Sequence, residues 1–306
     1  MTDMPGMDPV ATYRKGLTLA VFGGLLLTFD APLLRLVGGD QWAVIYWRGI
    51  LVFSATAIVW YWAHHTRRIS HGFINGWQGV AVTACYTVGS VSFLLALHHT
   101  SIANLVFMLA AVPLIAALLS LVILRERIPL STWIAVSAVV LGVVIIVRDG
   151  IVRGHGPGDI LALIAATSVA LAVVLTRKSN KNFSTAPGIA GLFSAIVALS
   201  FADTVSLAGE QWAWIALNGL FVAPLAFAAL ALAPRYMPAP EVGMFHLLET
   251  VLAPIWIWLM IGEAPTMAGL TGGAIVIVSL TAHSLYLLRK SKQTSTPPAL
   301  EAAERC

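Results

Sequence analysis

Charge is what this chain has least of. Of its 306 residues, 10% are Asp, Glu, Lys or Arg, where a soluble domain carries about 25%. So few charges cannot clothe a water-facing surface of this size. Hydrophobic residues make up 58% and the mean hydropathy is +0.86, so the chain reads as a polytopic membrane protein. Cysteine is also scarce: Cys85 sits inside an apolar run and Cys306 at the end. Two thiols this far apart argue against a disulfide framework or a metal site. The phosphate-cradling G-x-x-x-x-G-K-[ST] pattern is missing, as are HExxH, GxSxG and CxxC. A pump driven directly by ATP would need a separate ATPase subunit, and no cofactor is expected. The net charge of +4 is no nucleic-acid footprint, because Lys and Arg fall in short loops rather than in one patch.

What the chain does have is apolar length. Ten segments are bounded by charge or turn residues, near 16–36, 42–63, 77–97, 102–124, 130–147, 158–176, 187–207, 212–233, 239–261 and 266–288. A bilayer-crossing helix needs about 20 apolar residues, whereas a barrel strand needs about 10 that alternate. All ten are therefore expected to be helices. The first run is too long for a signal peptide and reads as an uncleaved first span. The polar tail from Ser291 is expected to be disordered. With an even number of spans the termini share a side. Fourteen of the 18 cations fall on that side, leaving Arg35, Arg48, Arg148 and Arg153 toward the other. The positive-inside rule then places both termini in the cytoplasm.

The halves also repeat weakly. A shift of 137 lays the second half over the first from span 3 to span 5, matching Glu126 with Glu263 and Val139 with Val276. Five spans per half is odd, so the halves must be inverted, and inverted repeats are a transporter architecture with a site near the midplane. The expected fold is an all-α membrane protein: ten transmembrane helices as two inverted five-helix repeats around a central cavity. Residues 1–15 would be a cytoplasmic segment, 16–147 the first repeat, 158–288 the second and 289–306 a cytoplasmic tail.

PLIAALLSLVILRE (Pro113 to Glu126) and ETVLAPIWIWLMIGE (Glu249 to Glu263), each followed by a Gly-containing apolar span, resemble the two EamA repeats of the drug/metabolite transporter superfamily. The resemblance covers roughly residues 16–289. In the second repeat Thr250 stands at the usual Pro position and Pro254 appears one turn later. The LLETVLAPIW run and the aromatic-rich AVIYWRG segment look most like YddG-type exporters of aromatic amino acids. That resemblance implies outward movement of amino acids across a bacterial inner membrane, with an amino acid and the lipid bilayer as partners. A monomer is expected.

The candidate residues are the polar groups inside spans. His246 and Glu249 are three apart, so they share one face of span 9. A charge at that depth costs about 3 kcal/mol and should face a bundle interior or a wet cavity. The pair either glues helices together or lines a substrate path and binds an amino or carboxyl group. Asp30 and Arg48 lie in the outer part of spans 1 and 2 and could pair, as a structural link or a gate. Asn218 in span 8 could hydrogen-bond a neighbouring helix or a substrate. Glu263 and Glu126 stand next to loops, where positioning the loop is the simplest role. Tyr46, Tyr86, Trp214, Phe245 and Trp256 lie deep enough to stack on an aromatic substrate or simply to pack. Pro113, Pro224 and Pro254 each free a carbonyl and permit a bend. Deep polar residues this few and this spread argue against a membrane-embedded enzyme; a non-transporting receptor is a third class.

Overall fold

The computed structural model describes residues 9–66, 72–74, 76–125, 130–179, 183–233, 236 and 239–295. The described residues form helices α1 (Pro9–Leu27), α2 (Asp30–Val37), α3 (Gln41–His65), α4 (Gly76–His99), α5 (Ile102–Leu109), α6 (Val112–Ile123), α7 (Leu130–Val152), α8 (Gly156–Ser179), α9 (Ala186–Leu199), α10 (Gly209–Ala216), α11 (Ala223–Leu232), α12 (Ala239–Ile261) and α13 (Met267–Ser295). A π-helical segment, Leu217–Val222, joins α10 to α11. Seven stretches are long and apolar enough to cross a membrane, and three shorter apolar ones lie at Ala186–Leu199, Leu248–Ile261 and Met267–His283. All fall where the sequence places spans. Ile58, Val122 and Ile134 stand among the large exposed apolar side chains, as a lipid-facing exterior requires.

Three spans are interrupted, and proline marks each place. Pro32 cannot donate to the carbonyl of residue 28, and α1 ends at Leu27 with α2 starting at Asp30. The Thr28 hydroxyl bonds back to the Leu25 carbonyl at 2.7 Å, which also bends a helix. Pro113 follows the break between α5 and α6, and Pro224 follows the π-helical segment of span 8. Pro254 differs: α12 runs through it without a break. Pro32, which the sequence reading passed over, sits at the break closest to charged residues.

One span is shorter than expected. The seventh ends at Leu199 rather than near 207. The apolar residues beyond it fold over the start of span 2. Phe201 stacks on Trp42 at 4.9 Å, and the Trp47 indole donates to the Val205 carbonyl at 2.6 Å.

Contacts at the end of the bundle away from the termini fix the sense of the repeats. There Arg35, ending α2, meets the Leu97 carbonyl of α4 and the Glu263 carboxylate after α12. Glu263 accepts from the Ile102 amide of α5. Thr100 donates to Asp159 at the start of α8, and Thr266 before α13 donates to Asp149 near the end of α7. Span 1 thus ends where span 6, its counterpart, begins: the two repeats run in opposite directions.

The packing obeys the same two-fold exchange. α3 packs on its counterpart α9, and α7 on α13; the α4–α8 contact is mirrored by α1–α11. Both self-paired contacts use bare backbone. A Cβ on Gly49 would lie 2.3 Å from the Gly191 carbonyl oxygen, and one on Gly142 would lie 2.7 Å from that of Gly272. Small residues let such helices approach.

Candidate functional site

Three polar residues from both repeats meet at the break in span 1. Asp30 opens α2, Arg48 comes from α3, and Asn218 comes from the π-helical segment of span 8. All are buried, at 3%, 9% and 0% exposure. The Arg48 Nη2 donates to the Asp30 Oδ1 at 3.2 Å and Oδ2 at 3.1 Å. Arg48 Nε donates to Asn218 Oδ1 at 3.2 Å. Asn218 Nδ2 donates in turn to Asp30 Oδ1 at 2.8 Å and to its carbonyl at 3.2 Å. The face of the Phe93 ring lies 5.8 Å from the guanidinium. Each charge is tolerable only because its partner is there. The pairing of Asp30 with Arg48 was an expectation of the sequence; the Asn218 closure was not.

α12 supplies the neighbouring wall. Glu249 is partly buried, and Asp30 and Arg48 act on it electrostatically. Tyr86 of α4 is likewise partly buried. Seven residues on from Glu249, and so on the same helix face, Trp256 stacks on Phe29 with centroids 5.1 Å apart. Its indole donates to the Thr28 hydroxyl at 3.0 Å. The break in span 1 is thereby held on one side by α12 and on the other by Arg48 and Asn218. His246 belongs to α12, but its side chain lies outside the described residues.

Among the described residues, none of the other candidates hydrogen-bonds to this cluster. Phe245 packs against Ala20, Leu27, Ala226 and Leu230 between α1 and α11. Tyr46 meets Trp47 edge-on at 5.0 Å, and both pack with Trp214 against the main core. Tyr86 borders a smaller cluster of Val82, Ala172, Phe183 and Ala186. Glu126 lies outside the described residues. Among those described, no three His, Cys, Asp or Glu side chains gather as a metal site would need. His98 and His99 each turn Nδ1 to the carbonyl four residues back, at 2.9 and 2.8 Å.

Two inverted repeats and a charged network at their boundary form the frame of a carrier, and comparison with known proteins decides the family. The EamA-like transporter family matches the chain twice, over residues 14–148 and 156–284. The chain belongs to this family. It is also similar to an uncharacterized transporter of Archaeoglobus fulgidus, at 24% identity over 273 residues, covering 87% of this chain and 95% of that protein. A solved crystal structure shares the fold with a TM-score of 0.63 at 17% identity, covering 90% of this chain and 98% of the other. As an EamA-family member the chain is a multi-pass membrane transporter, and the two matched segments are its two repeats.

Proposed function

We propose that this EamA-family transporter exports amino acids, aromatic and other neutral ones, across a bacterial inner membrane by alternating access, with both termini in the cytoplasm. It acts as a carrier, without catalysis. The observation that carries this reading is the buried network of Asp30, Arg48 and Asn218, which joins both repeats at the break in span 1, next to the α12 face that carries Glu249 and Trp256. Glu249 and His246 bind the amino or carboxyl group. Phe245, Tyr46, Tyr86, Trp214 and Asn218 shape the path, and Asp30 and Arg48 hold the break in span 1. Bends at Pro113, Pro224 and Pro254 let the halves rock. A ring held by stacking gains ~0.5–1.5 kcal/mol per aromatic contact, enough to prefer aromatic over small side chains.

The test is flux of labelled Phe and Trp in liposomes reconstituted with the whole chain, wild type against Glu249→Gln and His246→Ala. Saturable flux in wild type, lost in Glu249→Gln, supports the reading. Unchanged flux in both variants removes these residues from the mechanism. Flux of drug-like cations but of no amino acid would favour a second reading, because two carboxylates face one guanidinium at this site.

A further inference from the structure

Glu263 does more than hold a loop. Its Oε2 accepts from Arg35 Nη2 at 3.1 Å, and its Oε1 accepts from the Ile102 amide at 3.3 Å. Arg35 spends Nη1 on the Leu97 carbonyl. One carboxylate of the second repeat therefore ties three elements of the first: the end of α2, the end of α4 and the start of α5. The N-terminal turn of a helix favours a carboxylate, so α5 is a ready acceptor of this contact. The tie crosses the repeat boundary at the end away from the termini.

This tie differs from the deep one in the property that decides whether it can open. The Asp30 and Arg48 side chains are 4% and 10% exposed; separating them strands two charges in a low dielectric. The Glu263 and Arg35 side chains are 24% and 31% exposed. Water can take over their hydrogen bonds, and pairs of this kind are weak. A cavity of about 230 Å³ adjoins Arg35, lined also by Leu34, Gly38, Gly39, Leu97 and His98. Arg35 has room to swing. Gly38 and Gly39, at φ 56° and 75°, form the link after α2 in a conformation only glycine adopts readily.

We infer that the Arg35–Glu263 pair, with the Ile102 amide, is a gate that closes this end of the transport path and parts when the end opens. The inference rests on the alternating-access reading above and assigns the pair a positioning role rather than substrate contact.

The experiment uses the full chain in liposomes, with Cys85→Ser and Cys306→Ser and a reporter at Phe93→Cys. Position 93 lies one turn inside Leu97 and beside Arg48. A membrane-impermeant thiol reagent is added from the gate side, and the labelling rate is measured without substrate. With the pair intact labelling is slow. In Glu263→Gln, in Arg35→Gln and in the double variant it rises by roughly tenfold, to one common rate, because the pair acts as a unit. Glu263→Asp, which keeps the charge, restores much of the protection. Labelling unchanged in both single variants overturns the gate. So does acceleration accompanied by equal reactivity of a lipid-buried reporter, Leu141→Cys, which reports loosening of the whole bundle. Because no substrate is present, labelling answers this question even if no amino acid proves to be carried.

Discussion

Arg48 holds both carboxylate oxygens of Asp30, at 3.2 and 3.1 Å, in a place where neither charge could stand alone. Both come from the first repeat, yet Asn218, which bonds to each, comes from the second. The charged network is thus a joint between halves as well as a support for a broken helix.

Removing either charge strands the other. Asp30→Ala and Arg48→Ala are each expected to cost about 3–5 kcal/mol. The double variant should cost clearly less than their sum, because the second removal finds no partner left to strand. Thermal unfolding of the four proteins in one detergent measures the coupling; strict additivity would show that the pair is not coupled.

Trp256 makes two separable contacts. Trp256→Phe keeps the stack on Phe29 and loses the bond to Thr28, for about 1 kcal/mol. Trp256→Ala loses both together with the ring's own burial, for a total of about 3–5 kcal/mol. Melting curves of the two variants, ranked in that order, test the division.

Asp159 is fully buried. Its Oδ1 accepts from the Thr100 hydroxyl, and the Asn104 side chain also lies within reach of the carboxylate. Thr100→Val takes away a bond to a fully buried carboxylate, where water cannot step in. The expected loss is about 1–3 kcal/mol, read from unfolding midpoints, while Thr100→Ser stays near wild type.

Gly49 and Gly191 meet backbone to backbone. Gly49→Ala puts a methyl group 2.3 Å from a carbonyl oxygen and must push α3 from α9, at a cost of about 1–3 kcal/mol. A lowered melting temperature checks this; an unchanged one would mean the two helices part freely.

The spans were legible because membrane-crossing helices advertise themselves by length, and the inverted sense followed from parity and cation bias. The pairing of Asp30 with Arg48 was legible for a related reason: a charge inside an apolar run demands a partner. The end of span 7 was not, since Phe201 and Val205 are apolar residues that fold over Trp42 and Trp47, which hydropathy cannot tell from spanning lipid. The break beside Asp30 did leave a signal, Pro32, but a proline need not interrupt a span, as α12 shows by running through Pro254. Arg35 and Glu263 stand 228 positions apart. Nothing local marks them as partners; only the antiparallel assembly of the halves carries them to the same rim.

Gly49 against Gly191 and Gly142 against Gly272 have a mechanical meaning. At these two points backbone meets backbone, with only Ala195 beside the first and Val276 and Ile146 beside the second, so few side chains interlock there to resist a change in crossing angle. Each also lies between a helix and its own counterpart, near the line the halves share, where a tilt produces the least travel. Under the proposed rocking of the halves, such points would act as fulcrums and move least, and the rims, where Arg35 and Glu263 stand, would travel furthest.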